Sequence, residues 1–278
     1  MIANARMYGV SPEVDLLWRE LLCAIIDLAG LDVDVIDHAA PAPLEDLWNR
    51  PDIAAVFMCG LPFSRQTPQP VLVAAPVPSP AGFGDEARYW SEFVVRSDSL
   101  FRTVADTFGS RIAFTVPGSQ SGCVAALSHF ASLKAHVEGP LFAEIVAPTI
   151  TPRGALEAVV SGTAEIAPID SYAFSLLRAH RPDLTARVRV VGRTLATPIP
   201  PLVASPSPTA SGADAIASAL MAAHLNPTLK PLMDRLLLRR FVRPDTADYD
   251  VLRERFATAT QCWRARALAA VTHPAFAG

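Results

Sequence analysis

The chain has 278 residues, 51% of them apolar and 18% charged, with a formal net charge of -3 at pH 7. This length and apolar content suffice for two cored lobes and exclude a disordered chain. No stretch of about 18 uninterrupted apolar residues is present to span a membrane, and the near-neutral charge gives no electrostatic footprint for nucleic acid, which leaves small molecules or proteins as partners.

The first ten residues, Met1 to Val10, carry no basic region followed by an apolar stretch and a small-residue cleavage site. As the sequence stands this reads as a cytoplasmic chain, periplasmic only if a leader has been trimmed. Ala3 to Val10 reads as a strand, and Ser11-Pro12-Glu13 as the cap, first-turn proline and first-turn acid of an amphipathic helix running to Gly30. Asp32 to Ile36 is a second strand, Pro43 to Asn49 a short helix, and Ile53 to Cys59 a third, wholly apolar strand. This βαβ alternation implies a parallel sheet covered on both faces.

Proline is dense from Leu61 to Pro80, with Val71 to Ala75 as a short strand, and Tyr89 to Arg96 is a further strand. The pattern then restarts with a short helix over Thr103 to Phe108, a strand over Arg111 to Val116, a helix over Gly122 to Val137 and a short strand over Ile145 to Pro148. Thr151-Pro152 caps a helix ending at Gly162, and strands follow over Ile166 to Ile169 and Val188 to Val191. Leu202 to Ser205 is a strand, Pro206 to Ala213 a loop, and the remainder has helical spacing around a break at Phe241 to Pro244, with Tyr249, Leu252, Phe256 and Trp263 on the final helix.

Two α/β sets imply two lobes, 1–95 plus 195–278 and 96–194, with a cleft walled by the loops at their strand ends. In the second lobe, Ser119, Gln120, Ser121 and Gly122 stand where a strand stops and a helix starts, so backbone N–H groups and two hydroxyls converge on one spot. The alternative reading of these residues is a plain helix cap. Asp170 and Ser171 follow the apolar strand at Ile166, where Asp170 is either a ligand group or the cap of the next helix. Beside an anion pocket a carboxylate favours a ligand that also carries a cationic or hydroxyl group. Arg153, in the first turn of its helix, can reach an anion in bidentate fashion or stand solvated. Tyr8, next to Gly9, and Tyr89 are either cleft walls or core. Cys59 ends a first-lobe strand as a wall residue, as the nucleophile of a pair with His38, or as an inert buried thiol. Cys23, Cys59, Cys123 and Cys262 have neither disulfide nor zinc spacing, and no cofactor or metal is expected.

Several of these segments together resemble one family. They are Tyr8-Gly9, Phe57 to Leu61, Tyr89 to Arg96, Ala113 to Gly122, Gly154 to Gly162 with Ala164 to Ser171, and Thr197 to Pro201. The chain is similar over most of its length to the phosphate/phosphonate substrate-binding proteins of ABC importers, the PhnD-like branch of the type II periplasmic binding fold. The resemblance implies an α/β fold of two lobes joined by two crossover strands with the cleft between them. It implies a solute-binding protein that clamps a small anionic metabolite, phosphate- or phosphonate-like or a carboxylate, for an ABC permease. By position Ser119, Ser121 and Asp170 match the family's anion loop and its Asp-Ser pair, whereas Gln120 stands where a small hydroxyl residue is usual and Thr151 to Gly154 where Ser-His is common. The alternative is a cytosolic enzyme on the same fold, as in menaquinone or thiamine-pyrimidine biosynthesis.

Overall fold

The computed structural model describes residues 1–134, 140–206, 212–264 and 269–271. The expected helix end beyond 134, most of the expected loop at 206–213 and the side chains of Cys262 and Trp263 lie outside the described residues. The chain divides into two compact units, Met1–Arg88 with Pro198–Asp250, and Tyr89–Thr197 with the chain from Val251 onward. The bounds differ from the expected lobes: residues 89–95, 195–197 and those from 251 onward group with the second unit.

In chain order the strands of the first unit are β1 (Ile2–Asn4), β2 (Asp34–Val35), β3 (Ile53–Phe57) and β4 (Val71–Pro78), interleaved with helices α1 (Pro12–Ala29), α2 (Leu44–Trp48) and α3 (Gly60–Arg65). After β5 (Arg88–Tyr89) the second unit runs through β6 (Ser91–Arg96), β7 (Arg111–Ala113), α4 (Ala125–Lys134), β8 (Phe142–Val146), α5 (Pro152–Ser161), β9 (Ile166–Asp170), α6 (Ser171–His180), α7 (Pro182–Thr185) and β10 (Val188–Arg193). The chain returns through β11 (Thr197–Pro198), which pairs with β5, to β12 (Leu202–Ala204), α8 (Ala213–Ala222), α9 (Lys230–Arg235) and β13 (Leu238–Val242). It ends with α10 (Asp250–Arg264) and β14 (Ala269–Val271).

Each unit has its own six-stranded sheet, ordered β13-β4-β12-β3-β1-β2 in the first and β10-β6-β9-β7-β8-β14 in the second. The expected all-parallel sheet is found only in part. β2, β1 and β3 are parallel, as are β9, β7, β8 and β14, because helical crossovers join most of them. β12 and β6, the strands that follow the crossings directly, enter antiparallel to both neighbours. A strand delivered from outside a unit needs no right-handed crossover, so its direction is free.

Local signals set α1 as expected. The Ser11 hydroxyl accepts from the Val14 N–H at 3.3 Å, Pro12 opens the helix, and Gly30 closes it in the left-handed region at φ 66°. One face of α1 buries Val14, Leu17, Trp18, Leu21, Leu22, Ile25 and Ile26.

Three expected elements are corrected. The first strand stops at Asn4, whose carboxamide accepts from the Arg6 N–H at 2.8 Å and donates to Ile36 O; this Asx turn places Arg6–Tyr8 in a single 3₁₀ turn. In the proline-dense region α3 forms, and β4 runs on through Pro76 and Pro78. Val71 to Ala74 pair with β12 and Ala75 to Pro78 with β13, so each proline lies where β4 has one partner strand and no second ladder bond is lost. Leu238–Val242 is a strand, not helix: Leu237 takes φ 54°, its carbonyl accepts from the Ser79 N–H at 2.8 Å, and the segment zips onto β4.

Candidate functional site

β7 ends at Ala113, and after Pro117-Gly118 the chain enters a π-helical turn, Gln120–Val124, that continues into α4. Ser119 is the cap: its hydroxyl accepts from the Gly122 N–H at 3.0 Å and its carbonyl accepts the first helical bond, from Val124 N–H at 3.0 Å. The N–H groups of Gln120 and Ser121 precede that bond, at the end of the helix where the dipole favours negative charge. Both readings of Ser119 therefore coexist in one geometry, since capping orders the turn and leaves two amides at its mouth. A π-helical rung of this kind often marks a functional segment.

The opposing loop is α6. Asp170 is buried at 5% exposure and caps that helix, Oδ1 accepting from Tyr172 N–H and Ala173 N–H at 2.9 Å each. Its other oxygen, Oδ2, lies 3.4 Å from the Ser121 hydroxyl, which donates to it. Two helix starts thus meet at one serine–carboxylate pair. Burial, with the Asp170 charge, pushes the neighbouring Tyr172 phenol well above its ordinary range, so it stays neutral. Ser171 ties the loop to the chain entering β6: its N–H donates to Trp90 O at 2.9 Å and its hydroxyl accepts from Trp90 N–H at 3.1 Å.

Residues missed in the sequence hold this arrangement. Ser91, fully buried on β6, donates its hydroxyl to Ser121 O at 2.7 Å, and its N–H donates to Thr194 Oγ1 at 3.0 Å. Thr115 packs under the turn: its N–H donates to Gly122 O at 3.2 Å, and a Cβ at Gly122 would run into the Thr115 hydroxyl. Standing between Trp90 and Glu92, Ser91 carries no local signal in the sequence that would mark it.

Arg153 is held by Glu157 at 2.8 Å on the same helix, capped by Thr151. Tyr89 is buried in the second unit. In the first unit Tyr8, 1% exposed on its 3₁₀ turn, packs edge-on against Phe57 at 5.0 Å and stacks near Trp18 at 6.4 Å, which makes it core. Cys59 is half-buried at the cap position of α3, where its carbonyl accepts from Phe63 N–H at 3.0 Å. His38 is half-buried, with a ring nitrogen 2.8 Å from Pro43 O. Among the described residues no group of three His, Cys, Asp or Glu is placed to hold a metal, and no helix is long and apolar enough to cross a membrane.

Two α/β units, each built on its own six-stranded sheet and joined through the paired strands β5 and β11, are those of the type II periplasmic binding fold. The family model for the periplasmic phosphonate substrate-binding proteins of ABC transporters matches residues 52–249, and the chain belongs to that family. Among solved structures, a binding protein component of an ABC phosphonate transporter from Pseudomonas aeruginosa is similar at 15% identity and TM-score 0.78, over 96% of this chain and 88% of that one. PhnD1 from Prochlorococcus marinus, in complex with methylphosphonate, is similar at 15% identity and TM-score 0.75, over 94% and 98%. XAC2383 from Xanthomonas citri, bound to ATP, is similar at 14% identity and TM-score 0.60, over 94% and 97%. No curated protein matches the chain.

Proposed function

We propose that the second unit holds the oxyanion head of a small phosphonate or phosphate ester, and that the protein delivers this ligand to an ABC permease from the periplasm. The observation that carries the reading is the meeting of the Ser119-capped helix start with Asp170 through the 3.4 Å Ser121 contact. The N–H groups of Gln120 and Ser121 suit an oxyanion, and the Ser121 hydroxyl joins them by turning its one proton from Asp170 Oδ2 to the ligand. Asp170 Oδ2 suits a ligand that presents a proton donor beside that anion, such as an acid P–OH, a hydroxyl or an ammonium group. A fully ionised head with no donor is disfavoured beside the carboxylate charge.

Gln120, Ser121, Gly122 and Asp170 are the proposed ligand contacts, with Ser119 and Ser171 holding their loops in place. Tyr8, Cys59, Tyr89 and Arg153 stand outside the proposed direct contacts. Calorimetric titration with methylphosphonate, inorganic phosphate, methanesulfonate and adipate tests it. Methylphosphonate or phosphate is expected to bind, and Ser121→Ala to weaken that binding about tenfold, the equivalent of one charged hydrogen bond. Binding of adipate alone, or of none of the four, would sink the reading.

A further inference from the structure

We infer that Ser91, which does not itself touch the ligand, is a positioning residue for binding: through the Ser121 carbonyl it fixes the Ser121 hydroxyl where it can turn from Asp170 to an oxyanion. This rests on the reading above that the turn binds an oxyanion.

Ser121 is held from outside its own turn in two places. Its hydroxyl donates to Asp170 Oδ2 at 3.4 Å, a long contact, and its carbonyl accepts from the Ser91 hydroxyl at 2.7 Å, the ordinary length for an O–H donor. The two holding residues face each other, since Ser91 and Asp170 are partners in the antiparallel β6–β9 pair. Facing residues of such a pair point to the same side of the sheet with their Cβ atoms about 5 Å apart, so both side chains reach Ser121 from one place. Ser91 is fixed on its other side as well: its N–H donates to Thr194 Oγ1 at 3.0 Å and its carbonyl accepts from the Thr194 N–H at 3.0 Å. A buried hydroxyl costs desolvation unless it is bonded, and the one proton of this fully buried serine is spent on the Ser121 carbonyl. Alanine would fill the same space in the sheet, so what the hydroxyl adds is the hold on Ser121.

The two holds differ in what binding does to them. An oxyanion that takes the Ser121 proton ends the bond to Asp170, whereas the bond from Ser91 to the carbonyl continues unchanged. The Ser121 backbone then stays in place while its hydroxyl turns, and the ligand is spared the cost of ordering it, which raises affinity.

The test is a calorimetric double-mutant cycle on the wild type, Ser91→Ala, Ser121→Ala and the double variant, with methylphosphonate as the probe, or inorganic phosphate where that binds the wild type more tightly. Ser91→Ala is expected to lower affinity about fivefold where Ser121 is intact, and by less than about twofold where Ser121 is already alanine. A merely structural role would weaken binding by the same factor in both backgrounds, and that result would overturn the inference while leaving the binding reading intact. Unchanged affinity in Ser91→Ala, whatever its melting temperature, would overturn it too. Should Ser91→Ala fail to fold, Thr194→Val decides: close in shape, it withdraws only the acceptor of the Ser91 N–H. It is expected to weaken binding about threefold with Ser121 intact and to leave it unchanged in Ser121→Ala, and equal factors would again overturn the inference. If the wild type binds neither probe, the binding reading itself fails and this inference with it.

Discussion

Gly122 is required by a neighbour, since its backbone angles lie outside the left-handed region and Thr115 occupies the space a side chain would need. Gly122→Ala would push Cβ against the Thr115 hydroxyl, with Thr115 Cγ2 2.8 Å away, and force the turn off β7. The expected cost is about 1–3 kcal/mol, read as a lower urea midpoint at unchanged slope. Equal midpoints would mean the turn relaxes freely. Asp170 shows how one residue serves two purposes: Oδ1 is spent on two amides of α6, while Oδ2 is turned to Ser121. The capping role was legible in the sequence because an acid before a helix has few alternatives. The partner 49 positions away was not, because no local rule connects the two loops.

Among elements, β7 and β9 are clamped where they begin. The Arg111 guanidinium donates to both Glu165 oxygens and to Gly162 O, and the Arg111 N–H donates to the same carboxylate at 2.7 Å. Burial alone would raise the Glu165 pKa, but the bonds from Arg111 outweigh it and hold the carboxyl below its usual 4.5. A group with a depressed folded pKa adds stability that is complete above the unfolded value and is lost as pH falls through the folded one. The melting temperature of the wild type should therefore exceed that of Glu165→Gln above about pH 5, and the gap should narrow on acidification below pH 4.5. A gap independent of pH would show that the pair contributes by shape alone. Elements with their own stop and start residues, such as α1 with Ser11, Pro12 and Gly30 and α5 with Thr151, Pro152 and Gly162, were legible to the residue. β13 was not: Leu238 to Val242 has no turn residue before it and continues the leucine run from Leu236, and it becomes a strand only because β4 offers an edge.

For the whole molecule, the family assignment makes ligand binding the property to measure first. A ligand that binds only the folded chain stabilises it by about 2.7 kcal/mol at a hundredfold excess over its Kd. Methylphosphonate at that excess should raise the melting temperature by a few degrees, and the shift should fall to about half in Ser121→Ala at the same concentration, because a tenfold weaker Kd leaves about 1.4 kcal/mol. A wild-type shift that persists undiminished in the variant would place the anion elsewhere. The sequence by itself determined the α/β character, the capped helices, the loop that opens with Ser119 and the resemblance to phosphonate-binding proteins. Each of these rests on residues within one helix turn or one strand of each other, or on the order of such segments along the chain. Tertiary structure alone decided that β6 and β12 enter their sheets antiparallel, that Tyr8 is core, that β4 continues through two prolines, and that Ser121 meets Asp170. Strand pairing and burial are set by whichever surfaces meet when the chain collapses, and those surfaces come from segments tens of residues apart, beyond the reach of local propensity.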